Sequence, residues 1–177
     1  MAPEPSAAPI TVHASVLTSE AFAPFGEVIE HSGAQRRRHL ALPFDHDGPA
    51  VRPAMWVSRV DQAVTLPYQF DLLERHAHSA QTFIPLTGAA YLVVVAPSSA
   101  DGAPDLARLR AFVASGAQGV CYRRGIWHHG LSVLQAPAQF AVTMTLTPDA
   151  HDDEFLSLAT SVRIVRAADP ALPESRA

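Results

Sequence analysis

Short apolar or alternating runs, broken at close intervals by Gly and Pro, make up most of this chain. They lie at Ile10–Ala14, Gly26–His31, Ala54–Val60, Tyr68–His76, Thr82–Leu86, Ala89–Val95, Leu109–Ala114, Gly119–Arg123, Leu131–Gln135, Phe140–Leu146 and Ser161–Val165. Their length and their β-branched and aromatic content predict strands. Pro67, Pro85, Gly88, Pro97, Gly102, Gly116, Gly125, Pro137 and Pro148 supply the breaks between them. Helix signals are sparse. Thr18-Ser19-Glu20-Ala21-Phe22 predicts one short helix capped by Thr18 or Ser19, and Pro104–Ala107 predicts a single turn. Residues 33–53 read as one long loop holding Arg36-Arg37-Arg38, which is read as a solvated run rather than an anion site. The whole predicts an all-β jelly-roll barrel with short peripheral helices.

The longest apolar run, Ala89 to Ala96, is less than half of a bilayer span and reads as a buried strand, so no membrane partner is expected. The Pro-rich, Ala-rich residues 1–9 read as a tail, with one barrel domain expected over 10–168 and a second tail at 169–177. The start, MAPEPSAAPI, has neither a basic region nor an apolar one and does not read as a signal peptide.

Composition narrows the function. The 177 residues are 48% hydrophobic and 17% charged, enough to bury a core, and no repeat is visible. The formal charge of -4 argues against nucleic acid as a partner. All 13 basic residues are Arg; with no Lys, Schiff-base chemistry on this chain is excluded. The single Cys121 excludes an internal disulfide and a multi-Cys zinc site, and it fits a cytoplasmic location.

Chemistry concentrates in two stretches. In Glu74-Arg75-His76-Ala77-His78-Ser79-Ala80-Gln81, strand alternation would put Glu74, His76 and His78 on one face. In Gly119-Val120-Cys121-Tyr122-Arg123-Arg124-Gly125-Ile126-Trp127-His128-His129, a turn at Gly125 precedes three ring side chains. The pair resembles the two cupin motifs. His76, His78, Gln81 and Gly88 meet the first, with Gln81 in place of the usual Glu and one residue early. Gly119, Gly125 and His128 meet the second, with Arg123 where Pro is common. His76, His78, Gln81 and His128 are thus the expected ligands of a divalent transition metal.

A narrower resemblance covers about residues 10 to 146. Glu20–Ile29, Glu74-Arg75-His76, Gln81-x-Phe83-Ile84-Pro85-Leu86-x-Gly88, Leu109-x-Ala111-Phe112-Val113 and Gly119-Val120-x-Tyr122-x-Arg124-x-x-Trp127-His128-His129 are similar to the ureidoglycolate lyase family. The resemblance implies a bicupin-like barrel, usually a homodimer. It also implies a carbon–nitrogen lyase that splits ureidoglycolate, a small acid from allantoin breakdown, into glyoxylate and urea. Nickel is the metal it implies, with zinc, manganese and iron as other candidates. Three positions depart from it. Ala77 and His78 replace a Pro and a bulky apolar residue, no Asn stands near Gly33, and Met144-Thr145 replace an expected Asp-Arg pair.

Eliminating urea requires a base for the hydroxyl proton, a donor for the leaving nitrogen and an anchor for the carboxylate. On this reading His129 and Glu74 are the candidate bases. Arg124, which would share strand parity with His128, is the carboxylate anchor. Gln81, Trp127 and Phe83 complete the candidate substrate contacts. The alternatives are a cupin metalloenzyme for another small hydroxy or keto acid, favoured by His78, and a non-catalytic cupin that binds a small anion.

Overall fold

The computed structural model describes residues 8–47, 52–147 and 152–167. Its strands are β1 (Ile10–Val16), β2 (Gly26–Ile29), β3 (Arg52–Val60), β4 (Tyr68–His76), β5 (Gln81–Pro85), β6 (Gly88–Ala96), β7 (Arg110–Gly116), β8 (Gly119–Tyr122), β9 (Trp127–His128), β10 (Ser132–Val133), β11 (Ala138–Leu146) and β12 (Asp153–Arg166). One helix, α1 (Ser19–Phe22), is capped by the Thr18 hydroxyl, which accepts the Ala21 N–H at 3.2 Å. A 3₁₀ turn covers Leu106–Arg108. The all-β expectation holds. The tails expected at 1–9 and 169–177 lie outside the described residues except for residues 8 and 9.

The Val-rich run explains the architecture. In β6 both faces are buried, so this strand must divide two cores. Tyr91, Val93 and Val95 join one core with Phe22, Phe83, Phe112, Val120, Phe140 and Val142. Leu92, Val94 and Ala96 join the other with Leu73, Ala111, Trp127, Val162 and Ile164. Six strands in the order β6-β7-β1-β12-β4-β9 return to β6 and close a ring around the second core. A five-stranded sheet, β2-β8-β5-β11-β3, covers the outer face of the ring and encloses the first. The two-compartment arrangement agrees with a bicupin-like barrel. The named strand pairs are antiparallel except at β1, which runs parallel to both β7 and β12.

Chain crossings between the layers demand close approach. Residues 86–87 carry the chain from β5 into β6, where Gly88 has φ of +75°. Gly88 lies opposite Gly116, and a Cβ on Gly116 would stand 1.9 Å from the Gly88 carbonyl oxygen. The loop after β2 is pinned too: Arg38 donates to the carbonyls of Val28 and Glu30 at 2.8 and 2.7 Å. That tethers the Arg-rich run to β2.

Candidate active site

Register builds the site. In β4, Leu73 points into the ring while Glu74 and His76 alternate to its outer face, towards the five-stranded sheet. The two-residue β9 pairs with β4 and β6 and places His128 opposite Glu74. From the facing sheet, β5 brings Gln81 and β8 brings Tyr122, whose ring stacks on His128 at 4.3 Å. Glu74, His76 and His128 thereby offer one ligand atom each, all within 4.8 Å of one another. His128 Nε2 is 3.3 Å from Glu74 Oε1 and 3.2 Å from Gln81 Oε1. A cleft of about 230 Å³ opens over the group, lined also by Trp56, Met144, Asp152 and Asp153. That is below the roughly 300–1,000 Å³ of most ligand pockets and suits a small acid.

The donor set fits a cation. His128 Nδ1 stands 3.0 Å from the Ile126 carbonyl, which can only accept, so this nitrogen carries the proton. On the other side of the ring, Nε2 faces the oxygens of both Glu74 and Gln81, a convergence that a shared cation would also satisfy. His76 is 5% exposed, and neither ring nitrogen has a hydrogen-bond partner. Asp153 Oδ1 is 2.9 Å from its Nδ1 but off the N–H direction. Orphaned buried nitrogens are rare and mark strain, function or a missing ligand. Two imidazoles, a carboxylate and an amide oxygen suit a divalent transition metal.

The electrostatics agree. Burial pushes the Glu74 carboxyl up, but the hydrogen bond and charge of His128 outweigh it and hold the group below the usual carboxylate range. Burial, then the neighbouring His128, hold His76 below the ordinary histidine value, so it is neutral at physiological pH. The cleft lining carries the carboxylates Glu74, Asp152 and Asp153 and, among the described residues, neither Arg nor Lys.

The other expected site residues fall elsewhere. His78 does not join the ligand group: β4 ends at His76, so alternation no longer governs residue 78. Its imidazole is 55% exposed and bonds Asp47 at 2.8 Å, a contact that raises its pKa. Arg124 likewise lies apart from the group. The turn at Gly125, with φ of +71°, breaks its parity with His128, and its guanidinium pairs with Asp45 and Asp47 outside the cleft. His129 points to the opposite side of β9 from His128. There it stacks on Phe70 at 4.0 Å, with Nδ1 on the Leu72 carbonyl and Nε2 on the Tyr68 hydroxyl. Trp127 is buried in the ring core and donates to the Gly102 carbonyl at 3.0 Å, and Phe83 is buried in the other core. Of the expected residues, His76, His128, Gln81 and Glu74 converge, with Glu74 inside the group that could hold a metal rather than beside it.

Trp56, Met144, Asp152 and Asp153 were missed as lining groups. Asp152 is 4% exposed and accepts from the His78 N–H at 2.7 Å and from the Ser79 hydroxyl, fixing the turn between His76 and Gln81. The acidic run Asp152-Asp153-Glu154 was the available signal, hidden because β12 starts eight residues before the strand expected at Ser161.

Comparison with known proteins converges on one group. The profile described as ureidoglycolate lyase matches residues 9–164. A protein named ureidoglycolate lyase from Burkholderia mallei is 42% identical over 141 residues, covering 75% of this chain and 81% of that protein. One of the same name from Brucella anthropi is 40% identical over 156 residues, covering 84% and 90%. A third, from Pseudomonas syringae pv. tomato, is 38% identical over 135 residues, covering 71% and 78%. With its two-compartment barrel and a profile match across nearly all of the described residues, the chain belongs to the ureidoglycolate lyase family.

Proposed function

We propose that this chain is a ureidoglycolate lyase that eliminates urea from ureidoglycolate and leaves glyoxylate. The observation that carries the reading is the convergence of Glu74, His76, Gln81 and His128 under a small anionic cleft in a chain of this family.

An anionic substrate entering a cleft lined by three carboxylates needs a positive charge that, among the described residues, no Arg or Lys of the lining supplies. His76, His128 and Glu74, with Gln81 as a further oxygen donor, would hold a divalent transition metal, nickel in this family reading. Such a metal, when bound, supplies the charge for the carboxylate and acidifies an adjacent hydroxyl. The chain's own residues do the rest. Trp56 and Met144 wall the cleft, limit its volume and exclude water from the reacting carbon. Met144 occupies one of the two positions where an Asp-Arg pair was expected, so this wall is apolar. Glu74, ionised at neutral pH, accepts the hydroxyl proton. The C–N electrons leave with the ureido nitrogen, which takes that proton back, so O–H and C–N break while C=O and N–H form. One proton moves from oxygen to nitrogen and none is consumed.

The test is release of urea and glyoxylate from ureidoglycolate by the purified protein, with chelator and with nickel, manganese or iron restored. Release that chelator abolishes and metal restores is the expected result. No release with any metal would overturn the lyase, and release indifferent to chelator would overturn the metal's part in it.

The finer aspects of the reading are a homodimer and a cytoplasmic location for this single domain of residues 10–168. Strand β3 is the outer strand of its sheet and exposes Met55 at 68% and Val57 at 59%, the kind of apolar edge that a second copy covers. Light scattering at twice the 18.9 kDa chain mass, and activity in the cytosolic fraction, check the two points; a monomer or a membrane-associated activity would refute them.

A further inference from the structure

Asp153 enters β12 directly opposite His76 in the antiparallel β4–β12 ladder, so the contact between them is set by register rather than by the reach of flexible side chains. Its Oδ1 lies 2.9 Å from His76 Nδ1. The neighbouring Asp152 cannot substitute, since its two oxygens are taken by the His78 N–H and the Ser79 hydroxyl. On the other imidazole of the group, the same nitrogen, His128 Nδ1, faces the Ile126 carbonyl at 3.0 Å. Both rings therefore present an acceptor oxygen to Nδ1.

A neutral imidazole carries one N–H, and the hydrogen bond made by one nitrogen decides what the other can do. A lone pair on Nδ1 would stand 2.9 Å from a carboxylate oxygen, two negative centres face to face. A proton there turns the contact into an attraction. The carboxylate is 52% exposed, so it has room to turn into line with that N–H.

We propose that Asp153 is a positioning residue that fixes the proton of His76 on Nδ1 and so leaves Nε2 as the ligand nitrogen, as Ile126 does for His128. The inference rests on the metal reading given above, but its first consequence is visible without metal. Carboxylate partners of this kind typically change metal affinity 10- to 100-fold when removed.

The experiment uses the full chain, ¹⁵N-labelled and metal-free, at a pH above the ordinary histidine range. Long-range ¹H–¹⁵N spectra identify the His76 signals by their loss in His76→Gln. The wild type should show His76 protonated on Nδ1. Asp153→Ala should move it into a mixture of tautomers, Asp153→Asn should do so less, and Asp153→Glu should restore it. Ser157→Ala, on the same strand but outside the cleft lining, should leave it alone. Calorimetric titration with nickel should then show about 10- to 100-fold weaker binding for Asp153→Ala at an unchanged melting temperature. If Asp153→Ala fails to fold, the nearly isosteric Asp153→Asn carries both measurements. A His76 tautomer identical with and without the carboxylate overturns the proposal, as does unchanged nickel affinity in a variant whose tautomer has shifted. A wild type that takes up no nickel while its tautomer responds to Asp153 overturns the metal reading and leaves the tautomer assignment standing.

Discussion

Ureidoglycolate turnover falls by two to three decades when His128 is replaced by alanine. The ring is 1% exposed, and its Nε2 is the atom that Glu74 and Gln81 both face. Losing a ligand that holds a Lewis acid forfeits several kcal/mol of transition-state stabilisation, and about 1.36 kcal/mol is one decade. Alanine also leaves a void between Tyr122 and Glu74, so kcat/KM is compared only after circular dichroism shows a folded barrel. His78→Ala is the contrast, because the exposed imidazole bonds Asp47 outside the cleft. Its kcat/KM should stay within about twofold, as surface substitutions do. Equal losses in the two variants would restore His78 to the ligand group, and a His128→Ala enzyme close to wild type would remove the group from catalysis.

The second large effect is on stability. Gly116→Ala should lower it by about 3 kcal/mol, the upper end for forced overpacking. At roughly 2–4 °C per kcal/mol for a chain of this size, the melting temperature drops by about 6–12 °C. The added Cβ would meet the oxygen, carbonyl carbon and Cα of Gly88 at 1.9, 2.0 and 2.5 Å, all backbone atoms that cannot swing aside. Gly88 cannot retreat cheaply, because at φ of +75° it makes the crossing from β5 into β6. Gly130→Ala is the control: its Cβ meets nothing within 4 Å and should leave the melt unchanged. A Gly116→Ala protein melting with the wild type would show that the crossing has slack.

Where local patterning alone decides, the sequence is readable. The run Ala89–Ala96 could only be a strand buried on both faces, and Thr18 caps the helix it precedes. Parity worked for Glu74 and His76 because both lie inside β4. It failed for His78, one step after the strand stops, and for Arg124, across a left-handed glycine. The contact between Glu74 and His128 is a matter of long-range register, which no local period encodes. Asp153 escaped notice for a related reason. At the start of β12, Asp153, Glu154 and Phe155 are all exposed, and inward-facing apolar residues begin only at Leu156.

One dipeptide in this fold answers to two masters. Trp127 fills the interior of the ring, while its neighbour His128 faces the opposite compartment. A two-residue strand has no spare length in which to absorb an error of phase, since a shift by one residue exchanges the two faces. Deleting or inserting a residue between Gly125 and Trp127 would offer the indole to the polar cleft and the imidazole to the oily interior. Divergence at this point of the chain is therefore confined to exchanging side chains. The spacing itself is held by both compartments at once, one needing a plug and the other an imidazole.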